Sequence, residues 1–390
     1  MFTAQPAEAD PTKSKNDRSP TEADGTQKPN SAPSIGTDLK RITQIRALAE
    51  SSLFNDPLNA RAFRILGQIS ERGSDEQRTK TLMQAAVRRS LFESAAVYWV
   101  MQKSYQERDY RAAIRYADTL LRTRPQLVEH VIPMLGEMAE TPASSAELKH
   151  FLAENPPWRP QFFAYLSDSV SDARTPLDVF LSLKGTATPP TAADLRHYLD
   201  FLVGHKFYEL AYYTWLQFLP EGQLSKVGHL SNGDFELPAP TPPFDWLLTQ
   251  GSGVTIQIAP RPDRSNQHAL FMEFGPGRVE SFGVTQLVLL DPGRYQFRGT
   301  GKIDVVSERG LKWRVVCAGG TTPIGESPTL NGTGADWKDF EFSFTVADDC
   351  PAQYVSLAFD ARSASEQFIT GSAWYDNLEI VTQPEPQSGQ

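Results

Sequence analysis

Two cysteines are all that the 390 residues carry, Cys317 and Cys350. Neither has the Cys-x-x-Cys or Cys/His spacing that a zinc site needs. The histidines (His130, His150, His197, His205, His229 and His268) are scattered without ligand spacing. There is no Gly-x-Ser-x-Gly elbow and no Gly-x-x-x-x-Gly-Lys loop, so two common signatures of nucleophilic and nucleotide chemistry are missing. No catalytic constellation is found, and the chain is not expected to be an enzyme. Positive charge is in deficit, with 38 Lys and Arg against 47 Asp and Glu and a net charge of −9. That balance argues against a general nucleic-acid partner, which would need a surplus of cations to neutralise phosphates. No stretch approaches the roughly 18 apolar residues of a membrane span. The N-terminus lacks the charged and apolar succession of a secretory signal.

What is present divides by period. Residues 1–37 are rich in Pro, Ser, Thr, Asp, Lys and Asn and nearly devoid of large apolar side chains. They are expected to be disordered, as is the tail 385–390. From 38 to 220 apolar residues recur at helical spacing, as in Leu39, Ile42, Ile45, Leu48 and Ala49. Asn55-Asp56-Pro57 stops that helix and starts another, which Gly73 ends. Further helices are expected to about Phe218, the last crowded with aromatics. Its Tyr208, Tyr212 and Trp215 share one face, expected to be a seam against whatever follows.

At Leu230 the period drops to two. Val254-Ile256-Ile258, Tyr295-Phe297, Phe340-Phe342-Phe344 and Val355-Leu357-Phe359 alternate, with Gly/Pro turns between them. Asp291-Pro292-Gly293 has the composition of a type II turn. About nine strands without an intervening helix predict an all-β sandwich or jelly roll over 228–384. The fold class is therefore multidomain: an all-α antiparallel helical repeat domain, then an all-β jelly-roll sandwich. The cysteines fall in the β half and enclose a loop of about 34 residues. Closed as a disulfide, it is worth about 3.8 kcal/mol in the chain-entropy account. Two buried thiols are the alternative.

Two strings bracket the β region. Ser231-Asn232-Gly233-Asp234-Phe235-Glu236-Leu237 reads as its first strand, and Trp374-Tyr375-Asp376-Asn377-Leu378-Glu379-Ile380 as its last. Strict alternation puts Trp374, Asp376, Leu378 and Ile380 on one face. A carboxylate in phase with apolar neighbours needs a partner. Arg261, Arg264, a backbone N–H or a metal ion could each supply it.

Two resemblances follow. Asp56-Pro57 and Arg124-Pro125 lie 68 positions apart, twice the roughly 34 residues of a tetratricopeptide unit. Phe63, Leu66, Gly67, Ala86, Ala113, Ala117 and Pro125 occupy packing positions of that pattern, so residues 38 to about 140 resemble tetratricopeptide-like repeats, with irregular helices after them. Asn-Gly-x-Phe-Glu, Ala269-Leu270 and Trp-x-Asp-x-Leu resemble the galactose-binding-like jelly roll of many carbohydrate-binding modules. That resemblance implies one structural calcium, with Glu236 and Asp376 as carboxylate ligands and Asp234 and Gln267 or His268 as backbone contributors. It also implies a glycan ligand, for which Trp246 and Trp337 are the candidate stacking rings. Trp313 and Trp374 are read as core.

The domain pairing resembles bacterial envelope proteins of polysaccharide production or export. It implies a non-enzymatic adaptor, periplasmic or in the cell envelope, whose repeats bind a protein partner. Two alternatives stay open: a subunit of a carbohydrate-active enzyme with the jelly roll as targeting module, and a cytoplasmic scaffold.

Overall fold

A computed structural model of the chain describes residues 35–169, 171–220, 222–237, 241–279, 281–334 and 336–384. The segments expected to be disordered, 1–37 and 385–390, lie outside these residues, except that Ile35 opens the first helix. Eleven α-helices precede eleven β-strands among the described residues. The chain divides into two compact units, 1–93 and 94–390.

The first unit contains α1 (Ile35–Asn55), α2 (Ala60–Arg72) and α3 (Glu76–Arg89). Asn59 and Asp75 cap α2 and α3, each side chain accepting from the backbone N–H three residues on. Gly67 lets the two helices approach closely, since a Cβ there would meet Met83 Sδ at 3.0 Å. Ala49, Ala62 and Leu66 form the small core of this unit.

The second unit begins with α4 (Ser94–Gln106), α5 (Tyr110–Thr123), α6 (Val128–Glu140), α7 (Pro142–Leu152), α8 (Arg159–Ser169), α9 (Thr175–Lys184), α10 (Ala192–Gly204) and α11 (Tyr208–Gln217). Short connections pair neighbouring helices, and α10 starts with a full capping box between Thr191 and Asp194. The aromatic face of α11 is a seam. Trp215 donates its indole N–H to Thr241 O at 2.9 Å, and Tyr212 meets Phe244 edge-on at 5.0 Å.

The strands are β1 (Leu247–Thr249), β2 (Val254–Pro260), β3 (His268–Phe274), β4 (Gly283–Val288), β5 (Gly293–Ser307), β6 (Lys312–Cys317), β7 (Pro323–Glu326), β8 (Gly332–Thr333), β9 (Lys338–Val346), β10 (Gln353–Ala358) and β11 (Ile369–Thr382). One sheet runs β1-β4-β10-β6-β7. The other runs β2-β3-β11-β5, and β8 and β9 both pair with the long β5. Every pairing is antiparallel, so the two sheets form a jelly-roll sandwich. Tyr295, Phe297 and Val305 of β5 alternate inward to meet Trp313, Val315 and Val355 of the opposite sheet. Trp313 stacks on Phe297 and takes Trp246 and Tyr375 edge-on, each with centroids 5.3–5.7 Å apart. Such pairs add about 0.5–1.5 kcal/mol each beyond their burial.

Three local expectations are corrected. Asp291-Pro292-Gly293 carries the chain from one sheet to the other, and Gly293 is not among the glycines at positive φ, so the corner is not a type II turn. Residues 231–237 form a turn rather than a first strand. Asn232 and Phe235 have φ of +51° and +52°, and the Asn232 side chain accepts from Leu237 N–H and donates to Leu237 O. This local closure competes with sheet pairing. Finally, alternation fails in β11, where a bulge lies between Asp376 and Glu379 and Asn377 has φ +53°. Ala373 and Tyr375 face the core before the bulge, and Leu378 and Ile380 after it. Trp374 and Asp376 therefore point away from the core, not into it.

Candidate functional site

The phase change in β11 assembles a solvent-facing surface on the larger sheet. Trp374 lies directly opposite Phe271 of β3 on one side and Lys302 of β5 on the other, and Gln257 of β2 lies opposite Phe271. The row Gln257, Phe271, Trp374, Lys302 thus crosses four neighbouring strands, roughly 14 Å from end to end. The two rings are part-exposed, with centroids 4.3 Å apart and planes at 33°. Glu273, Ser372 and Asp304 line the next row toward solvent.

Trp337, just before β9, continues the surface past β5. Its ring, also part-exposed, packs on the Arg261 guanidinium at 3.9 Å. Asp336 and Lys338 on either side of it line a cleft of about 610 Å³ with Ile303, Asn331 and Phe340. An apolar ring face with hydrogen-bonding side chains around it suits a ligand with one apolar and one hydroxylated aspect.

Trp246 does not belong to this surface. It is 1% exposed, stacked on Phe235 at 5.5 Å, and gives its N–H to Asn232 O. A ring enclosed in this way offers no face to a ligand, so the expected stacking role is corrected to a core role. The aspartate before it is buried as well. Desolvation pushes the Asp245 carboxyl up from the ordinary range, although the N–H groups of Trp246 and Thr241 and the Asn232 amide draw it back.

The residues proposed for calcium lie near one another, yet both carboxylates are engaged by nitrogen. Glu236 accepts His268 N–H at 3.0 Å and faces His268 Nδ1 at 3.2 Å. Asp234 accepts weakly from Glu236 N–H at 3.4 Å, and Gln267 O accepts Arg261 N–H at 2.8 Å. Asp376, 4% exposed, accepts from the Arg261 guanidinium with one oxygen and from Asn377 N–H at 2.7 Å with the other. Burial pushes its carboxyl up, against the pull of Arg261. Arg261 also holds Asp263 through two parallel bonds of 2.8 and 3.0 Å. Calcium takes six to eight oxygens, and a neighbouring cation repels it. With the Arg261 guanidinium on one carboxylate, His268 on the other and Arg261 N–H on the Gln267 carbonyl, the donor set does not fit it. Among the described residues, no group of three or more His, Cys, Asp or Glu is placed to hold a metal.

Cys317, at the end of β6, and Cys350, in the turn before β10, are joined as a disulfide. Of this candidate surface, the alternation rule missed Phe271 and the outward Trp374. An asparagine inside the last strand was the available signal, because Asn tolerates the left-handed backbone of a bulge.

No known protein family matches the sequence, and no curated protein does. Solved structures do. The sandwich resembles carbohydrate-binding modules. One is a CBM4, at 17% identity over 40% of this chain and 99% of that one, with a TM-score of 0.30. Another is TmCBM61 in complex with beta-1,4-galactotriose, at 18% over 40% and 99%, with a TM-score of 0.28. A third is the CBM22-1 xylan-binding domain from Paenibacillus barcinonensis Xyn10C, at 14% over 38% and 91%, with a TM-score of 0.26. The ligands in those descriptions are those proteins' own.

Proposed function

We propose that this protein is a non-enzymatic adaptor whose sandwich binds a polysaccharide along the outward row of Phe271, Trp374 and Trp337. The observation that supports the reading is the row itself: part-exposed rings of Phe271 and Trp374 on adjoining strands of one sheet face, among Gln257, Lys302, Glu273 and Asp304, with Trp337 just before β9. Pyranose rings offer an apolar C–H face and a rim of hydroxyls, which stacking rings and polar side chains together recognise.

In this reading the helices, tetratricopeptide-like up to about residue 140, dock a protein partner, and the sandwich tethers the complex to glycan. The disulfide favours an oxidising compartment, the periplasm or cell envelope, over the cytoplasm. A role in polysaccharide production or export suits such a tether. Among the described residues no helix is long and apolar enough to cross a membrane.

The test is a glycan array on the full-length protein, followed by affinity electrophoresis in the best-bound polysaccharide. Retardation that Trp374→Ala weakens several-fold supports the reading. Binding that survives Trp374→Ala and Trp337→Ala together, or no glycan bound at all, overturns it.

A further inference from the structure

We infer that the Arg261 guanidinium is a built-in cation of this sandwich, compensating the buried Asp376 carboxylate of the last strand where a divalent ion would otherwise do so. The inference rests on geometry alone and is independent of the glycan reading.

The chemistry at this point calls for positive charge. Asp376 is buried on the last strand, and Glu236, in the turn that opens the β region, adds its own charge nearby. An uncompensated buried charge is costly. A metal ion is one solution to that problem.

Arg261 is another, and its setting shows why it stays put. The side chain follows directly on β2, in a hairpin whose closing bond runs from Arg261 N–H to Gln267 O at 2.8 Å. Arg261 is 7% exposed. Its Nε and one terminal nitrogen grip Asp263, the other terminal nitrogen reaches Asp376, and the flat face lies against Trp337. A planar fork with delocalised charge meets these three partners at once, whereas a lysine ammonium has neither the fork nor the face. Held this way, the guanidinium repels any second cation brought to Asp376.

Three arms on the full-length protein test the inference. In the first, the melting temperature of the wild type is measured in EDTA and in calcium chloride, with calcium titrated calorimetrically in parallel. No shift and no saturable heat are expected. A calcium-induced rise or a one-site isotherm overturns the inference.

In the second arm, Arg261→Ala is expected to lower Tm by roughly 5 °C or more. It is also expected to gain a calcium-dependent recovery that the wild type lacks, because the buried Asp376 carboxylate is then left without its cation and open to another. An unchanged Tm, or a folded variant without that response, overturns it.

Arg261→Lys is the third arm and covers the case in which the alanine variant fails to fold. It is expected to melt below the wild type while staying indifferent to calcium, since it keeps the charge and loses the fork. A lysine variant as stable as the wild type overturns the account.

Discussion

The carbonyl of Gly233 accepts the backbone N–H of Leu378 at 2.9 Å, tying the turn that opens the β region to the strand that closes it. The contact demands glycine. A Cβ at position 233 would lie 1.9 Å from Leu378 O, which is backbone and has no rotamer to give. Gly233→Ala should therefore destabilise the second unit by about 1–3 kcal/mol or more. The urea midpoint of the full-length protein should fall with an unchanged m-value. Gly319→Ala, where a Cβ meets nothing within 4 Å but φ is +87°, separates the cost of backbone strain from the cost of the clash.

The coarse fold was legible in the sequence because period is a robust signal. Gly73 after Ile69 and the Asn55-Asp56-Pro57 break mark helix ends that match those observed. The β half was legible for the same reason, since Tyr295-Phe297 and Phe340-Phe342-Phe344 alternate as half-buried strands must. The site was less so. A single residue at positive φ, Asn377, shifts the phase of everything on one side of it, and alternation alone cannot report a bulge. Trp374 was placed in the core and Trp246 on the surface; the bulge reverses the first, and the indole bond to Asn232 O fixes the second. Arg261 could be read only as one of several partners for Asp376, because the 115 positions between them leave spatial contact open.

The disulfide gives a prediction with a built-in control. Cys317 and Cys350 enclose 33 positions of separation, and the cross-link should contribute up to about 3.8 kcal/mol by restricting the unfolded chain. Reductant should lower the wild-type Tm. The double variant Cys317→Ser, Cys350→Ser should start near that lowered Tm and show no further change on reduction.

Acid sensitivity follows from two carboxylates held by arginines. Asp263 is held down to about 2, chiefly by its hydrogen bonds from Arg261, and Glu366 is held down to about 2, chiefly by Arg309. Both folded values lie below the ordinary carboxylate values of about 4. On acidification the unfolded chain takes up protons first, so the stabilisation is complete above about pH 4 and is lost as pH falls through about 2. Circular dichroism of the full-length protein between these limits should show stability falling with pH. Asp263→Asn should flatten part of that slope, while leaving the curve above pH 5 parallel to that of the wild type.

Three tryptophans should separate binding from stability. Trp374 and Trp337 are part-exposed on the outer row, while Trp246 is enclosed by Phe235 and Trp313. Trp374→Ala and Trp337→Ala should each weaken polysaccharide binding by about 0.5–1.5 kcal/mol, roughly 2–10-fold in Kd, if the rings stack on sugar. Trp246→Ala should instead cost about 3–5 kcal/mol of stability, the loss expected on emptying a large core position. Its folded fraction should retain the wild-type Kd, because the ring lies on the other side of the sheet from the row. Affinity electrophoresis paired with urea denaturation reads both quantities on each variant. Equal losses of affinity in all three would mean that glycan binding depends on sandwich integrity alone, and the outer row would lose its special standing.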